Sequence, residues 1–270
     1  MRVAARVVVL ARDAAGYGAA LADALRPSPG LTRGSSPFEL PLDKYGLNGE
    51  KASGELVSFS DSSGSPQVSF FVLPDYRPPV AACAMNEILA LISSEAPSIQ
   101  PVLIVPFITR PSSATKTGQL TTLHAAEIGA SNEFTHLFVD GTTKTPPSLQ
   151  IRSEPIQCLL EMVRVLKIPT VLLVTSGGQH QGKSSSGSDL ELVCAILLQF
   201  SIQVNLIDMP VAPVPVWSPN LPAYCYFQVL QCVGDHVAKH INLEFSKEIV
   251  IETGVEKSAS IQEPWRELYM

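Results

Sequence analysis

The chain has 270 residues, of which 46% are hydrophobic and 16% charged, and its formal net charge is -6 at pH 7. That length and apolar content suffice for one sizeable core, and an acidic balance without a dense Lys/Arg run excludes the basic surface that nucleic acid requires. No apolar run reaches the roughly 18 residues of a membrane-spanning helix, and so low a charged fraction points to surface covered by a protein partner.

Val7 to Ala11 is a short apolar run that predicts a first strand. Arg2, Arg6 and Arg12 come with no acid before Asp13, which also suits a transit peptide, but the strand and a helix over residues 17–25 favour folded chain. Pro27, Pro29 and Gly30 end that helix. From Pro27 to Ser53 there are four prolines and no clear period, so loop is expected. Residues 55–60 alternate polar and apolar, 61–66 form a turn, and 68–73 are apolar, which together predict a β-hairpin.

Pro78 and Pro79 open a helix whose apolar residues Val80, Cys83, Ala84, Ile88, Leu91 and Ile92 have helical spacing. Val102 to Thr109 is the continuous apolar run of a strand covered on both faces. Residues 110–120 read as polar loop, and the short run Leu137 to Asp140 fits either element type. Residues 154–166 are amphipathic, with Ile156, Leu159, Leu160, Val163 and Leu166 on one face, and Thr170 to Thr175 is a second fully apolar strand. A Gly/Ser/Gln loop (176–188), a helix (190–200) and a strand (203–207) follow. This alternation predicts an α/β fold with a mixed or mostly parallel sheet flanked by helices. Five prolines from Pro210 to Pro222 exclude helix or central strand there. Residues 224–240 resume a helix, and 244–264 are polar without a core face. The domain reading is a single α/β domain over 1–243 and a C-terminal tail over 244–270.

Several constellations bear on chemistry. Gly177-Gly-Gln-His-Gln-Gly182-Lys183-Ser184 matches the phosphate-loop pattern G-x-x-x-x-G-K-[ST] after a predicted strand. Asp140 and Asp208 end apolar runs, and either would be the candidate magnesium partner. Against this, the stretch is low in complexity, and Lys183 is followed by three serines and Gly187, poor material for a first helical turn. Nucleotide binding through Gly177, Gly182, Lys183 and Ser184 is therefore the alternative reading. His236 and His240, four apart on a helix, have metal-ligand spacing but no third ligand, and read as helix-surface histidines. No G-x-S-x-G elbow occurs. The cysteines, Cys83, Cys158, Cys194, Cys225 and Cys232, are odd in number and form no C-x-x-C pair, so buried reduced thiols in a reducing compartment are expected. No cofactor and no metal are expected.

The remaining feature is the ending Leu268-Tyr269-Met270, a hydrophobic-Tyr-X tripeptide on a polar tail. Such an end suits a pocket between two subunits. Tyr269 supplies a ring and a hydroxyl, Leu268 apolar area, and the Met270 carboxylate an acceptor for a lysine.

Taken together, the helix and strand over residues 154–175, with Val163-Arg-Val-Leu-Lys-Ile-Pro-Thr170, the strand Val102 to Thr109, and the Leu-Tyr-Met ending resemble the proteasome assembly chaperone 1 family. The Gly/Ser loop at 176–188 and the proline-rich stretch at 210–222 look like insertions and give the chain a plant-like cast. The resemblance implies a fold like purine nucleoside phosphorylase without that enzyme's activity. It implies a heterodimer with proteasome assembly chaperone 2, seated on the α-type subunits of the proteasome core particle and promoting correct assembly of the α-ring. Leu268, Tyr269 and Met270 would dock into an inter-subunit pocket. A cytoplasmic location, extending to the nucleus, goes with it. A nucleosidase-like enzyme is a third reading, since fold alone does not settle function.

Overall fold

The computed structural model describes residues 2–11, 16–95, 100–109, 122–145, 149, 151, 153–176 and 221–248. Its centre is set by the apolar runs. In β1 (Arg6–Ala11) the side chains from Val7 to Leu10 are all buried, as a doubly covered strand requires. β1 lies between β5 (Pro66–Leu73) and β6 (Val102–Thr109) and runs parallel to both; β6 in turn is parallel to β9 (Thr170–Ser176). β4 (Lys51–Ser60) pairs antiparallel with β5 as the expected hairpin, and β3 (Thr32–Pro41) antiparallel with β4. On the far side β7 (His124–Ile128) is antiparallel to β9, and β8 (Thr143–Lys144) is parallel to β7. Among the described residues these eight strands form one mixed sheet, in the order β3-β4-β5-β1-β6-β9-β7-β8.

The two-residue period of the strands divides their side chains between two cores. Val7, Val9, Leu103, Val105, Leu172 and Val174 face α2 (Val80–Glu95) and α4 (Glu154–Leu166). Val8, Leu10, Ile104, Val171 and Leu173 face α1 (Tyr17–Ala24), α3 (Glu133–Val139) and α5 (Leu221–Ile241). The expected α/β class, a sheet with helices on both faces, is what forms. The parallel strands all start at one edge of the sheet, here the amino edge, beside Arg6, Pro66, Val102 and Thr170. They end at the opposite, carboxyl edge. α2 and α4 run back from the carboxyl edge, because each connects to a strand that begins at the amino edge.

Several expectations are corrected. The span from Pro27 to Ser53 is not simply loop: it contains all of β3 and the first part of β4. β3 lacks an apolar period because it is an edge strand with one paired neighbour, and only Phe38 is buried, edge-on to Phe71 at 5.4 Å. An edge also tolerates Pro37 and Pro41, whose missing N–H groups hinder pairing with another chain. The run Leu137 to Asp140 belongs to α3, started by a capping box in which the Asn132 side chain accepts from the Thr135 N–H and Thr135 accepts from the Asn132 N–H. Pro222, read as excluding helix, sits in the first turn of α5, where no N–H is needed. Leu166, assigned to the core face of α4, is 55% exposed. The helix and strand expected over 190–200 and 203–207 lie outside the described residues.

Candidate functional site

The residues singled out by sequence, Leu268, Tyr269 and Met270, and Gly177, Gly182, Lys183 and Ser184, lie outside the described residues, as does Asp208. The structure shows the points from which the two segments depart.

The C-terminal segment departs from a clip. α5 ends at Ile241, and Asn242 turns the chain in the left-handed region at φ 58°. β10 (Leu243–Phe245) then pairs antiparallel with β2 (Leu25–Pro27), directly after α1. Ser28 Oγ donates to the Asn242 carbonyl at 2.9 Å, and the Ser246 N–H donates to the Ala24 carbonyl at 2.8 Å. Leu243 is buried, and the Phe245 ring lies against Gly234 in the middle of α5. A Cβ on Gly234 would sit 2.1 Å from a ring carbon, so the glycine provides the seat for Phe245. Glu244 and Phe245, polar-tail residues by composition, are therefore part of a strand. The signal available in the sequence was Gly234 inside an apolar helix, a costly residue there unless something packs against it.

The Gly/Ser segment departs from Ser176, the last residue of β9, at the carboxyl edge where α/β sheets take ligands. Beside it the Thr109 hydroxyl donates to the Thr175 carbonyl at 3.3 Å. His124 Nδ1 lies 3.0 Å from the Lys144 carbonyl at the same edge. Asp140, the other magnesium candidate, is the C-cap of α3, and its N–H donates to the His136 carbonyl.

His236 and His240 do share one flank of α5, but they are half-buried rather than on the surface. Their ring centroids are 4.4 Å apart, and both rings contact Phe138, at 5.1 Å and 4.6 Å. His236 Nε2 reaches the Phe138 carbonyl at 2.8 Å and His240 Nδ1 the His236 carbonyl at 2.8 Å. Since a carbonyl only accepts, these two nitrogens carry protons, and in each neutral ring only the other nitrogen keeps a lone pair. Among the described residues no group of three His, Cys, Asp or Glu is placed to hold one. Burial, chiefly, lowers the His236 pKa, with His240 and Lys239 adding to it against the Phe138 carbonyl. The folded state thus prefers neutral His236, and below about pH 6.5 the unfolded chain binds the extra proton first. Stability is expected to fall as pH drops from 7 to 5, and less steeply in His236→Gln; equal slopes of melting temperature against pH in the two proteins would refute this.

Cys83, Cys158 and Cys232 are in no disulfide and are half-buried, less deeply than expected. Burial first, and Glu154 or Asp235 second, push the Cys158 and Cys232 thiols up, which keeps both protonated and unreactive. Glu87 on α2 is more specialised. Burial opposes its ionisation, but Lys44 at 2.7 Å and the Tyr45 hydroxyl outweigh that and hold its carboxyl below the usual value. This pins the turn Asp43–Tyr45 onto α2.

Comparison with solved structures places this arrangement among known folds. A protein of unknown function from Corynebacterium glutamicum aligns over 99% of this chain and 86% of its own, at 9% identity and a TM-score of 0.53. Pyrococcus furiosus PbaB, an archaeal proteasome activator, aligns over 95% and 91%, at 9% identity and a TM-score of 0.50. Pyrococcus furiosus PbaA, an archaeal homolog of proteasome-assembly chaperone, aligns over 99% and 93%, at 12% identity and a TM-score of 0.46. At such identities the likeness is one of fold. No curated protein matches the sequence. The family described as Domain of unknown function (DUF7894) matches residues 1–207 and 223–270, and the chain belongs to that family.

Proposed function

We propose that this protein is a proteasome assembly chaperone subunit that acts by binding and not by catalysis. With a partner chaperone, proteasome assembly chaperone 2, it engages the α-type subunits of the core particle and promotes correct assembly of the α-ring. The observation that carries the reading is the ending Leu268-Tyr269-Met270 on a chain that shares its fold with an archaeal proteasome activator. In this reading residues 1–243 are the body and 244–270 the tail, with β10 as the tail's anchored root. The residues after Glu248 number 22, and at about 3.3–3.6 Å each they span at most roughly 75 Å, enough to reach a pocket on a neighbouring particle. The setting is the cytoplasm and the nucleus.

Burying Leu268 and Tyr269 would each contribute about 1.5–3 kcal/mol before ordering costs. One tail therefore gives binding of about micromolar strength, and the body must add contacts. Deleting residues 268–270 is expected to lower capture of α-type subunits about tenfold or more in a pull-down with purified proteins, with the melting temperature unchanged. Equal capture by the truncated and full chains rejects the tail's role.

A second reading has one observation in its favour: Gly177 follows the last residue of β9 at the carboxyl edge, the position a phosphate loop occupies. Calorimetry with ATP or GTP and magnesium tests it; binding heat that Lys183→Ala abolishes supports it, and no heat with the unmodified chain ends it.

A further inference from the structure

We infer that Ser28 is a phosphorylation site for a proline-directed kinase, and that a phosphate there opens the clip at the root of the C-terminal segment. The clip is followed with no proteasome subunit present, so this inference stands or falls apart from the chaperone reading.

Local geometry presents Ser28 as a substrate. Ser28-Pro29-Gly30-Leu31 forms a turn closed by the Leu31 N–H on the Ser28 carbonyl at 3.0 Å. Proline in the second place and Gly30 at φ 89° in the third give it the type II form. The proline also biases Ser28 toward extended backbone, and an extended hydroxyl residue followed by proline is what such a kinase reads. Pro29 and Gly30 are exposed, and a Cβ on Gly30 would meet nothing within 4 Å, so the turn is open to an enzyme.

Three other described hydroxyl residues precede proline: Ser36, Ser65 and Thr145. What sets Ser28 apart is its partner. Its Oγ donates to the Asn242 carbonyl, 214 residues away, in an exposed bond. Asn242 follows Ile241, the last residue of the 21-residue α5, and the next residue, Leu243, pairs with Pro27. The hydroxyl thus ties the turn to the carbonyl end of a long helix, which carries partial negative charge. The ladder beside it is short, Leu25–Pro27 on Leu243–Phe245, with one more bond from the Ser246 N–H to the Ala24 carbonyl.

Phosphorylation joins the Ser28 oxygen to the γ-phosphorus of a nucleoside triphosphate. The bond from that phosphorus to the bridging oxygen breaks, the nucleoside diphosphate leaves, and the hydroxyl proton passes to the kinase's base. Oγ then has no hydrogen to donate. A group of charge about −1.5 to −2 stands instead against the carbonyl end of α5, the placement in which phosphate disrupts. Side-chain charge does not compensate. Asp23 and Arg33 pair with each other. On β2, the last turn of α5, β10 and the two residues after Ser246, the exposed charges are Arg26, Lys239 and Lys247 against Glu244 and Glu248, a balance of one positive. The phosphate exceeds it.

The full chain, incubated with a purified proline-directed kinase, ATP and magnesium, tests this by mass spectrometry and by amide hydrogen exchange. Phosphate on Ser28 is expected, with exchange at Ser246 about tenfold faster in the phosphorylated chain and the increase smaller at high salt. Ser28→Thr keeps the hydroxyl and should match the wild type with and without kinase. Ser28→Ala removes the bond without adding charge and should speed exchange at Ser246 about threefold. Adding the kinase to Ser28→Ala should then change nothing, although Ser36 and Ser65 remain available. Exchange at Val8, buried in the centre of the sheet, should be equal in every arm and reports that the fold is intact. No phosphate on Ser28, or a phosphorylated chain whose Ser246 exchanges at the unmodified rate, overturns the inference. So does a kinase effect at Ser246 that persists in Ser28→Ala.

Discussion

Replacing Gly129 by alanine is expected to destabilise the fold by about 3–4 kcal/mol, against about 1 kcal/mol for the same change at Gly30. Both glycines have positive φ, 80° and 89°, so both substitutions carry the left-handed penalty of about 1–2 kcal/mol. The difference is steric. Around Gly30 a Cβ meets nothing within 4 Å. At Gly129, just after β7, it would lie 2.2 Å from the Ile168 carbonyl oxygen and 2.9 Å from that of Val163. Both are backbone atoms. They belong to the last turn of α4 and to the turn that follows it, where the Ile168 N–H already bonds the Val163 carbonyl. Neither can rotate aside, so α4 or β7 must shift, and displacing packed elements adds about 1–3 kcal/mol. Against a typical total of about 5–15 kcal/mol this loss is large. Urea midpoints of the two variants decide the matter, and equal losses would show that the α4–β9 turn does not abut Gly129.

The second large effect is a reversal of sign. In α5 the change Gly234→Ala gains about 1 kcal/mol of helix propensity, but the new Cβ strikes the Phe245 ring. In the wild-type background the substitution is expected to destabilise by about 1–2 kcal/mol, because β10 must lift from α5. In a Phe245→Ala background the obstacle is gone, and the same substitution should stabilise by about 1 kcal/mol. Phe245→Ala alone removes a partly buried ring and should cost about 2–3 kcal/mol. A double-mutant cycle in denaturant measures all three. A coupling near zero would mean that the ring does not rest on Gly234, and the proposed root of the tail would lose its support. Capture assays on the same variants then report whether loosening the root affects docking.

What could be read in advance depended on where each element finds its stability. The runs Val7 to Leu10 and Val102 to Val105 were legible because strands covered on both faces must be apolar throughout, whatever lies beside them. The helix over Glu154–Leu166 was legible from its period, which matches the side chains that are buried, except at Leu166. β3 was not legible, since a polar edge strand is held by its ladder to β4 and has no core face to advertise. β7 was missed because Ala125 and Ala126 give little signal, and its position follows from pairing with β9. The tail tripeptide was legible as a motif, because it is a feature of sequence alone.

The sequence by itself determined the α/β class, the doubly covered strands and the amphipathic α4, because burial of periodic apolar side chains is a local property that composition records directly. The tertiary structure alone decided that residues 24–28 meet residues 242–246. Ser28 bonds Asn242 across 214 residues, and β10 joins β2 so that Phe245 fills the space left by Gly234. Those relations are set by which strands run parallel and where their crossovers end, a choice made by long-range packing that no local pattern encodes.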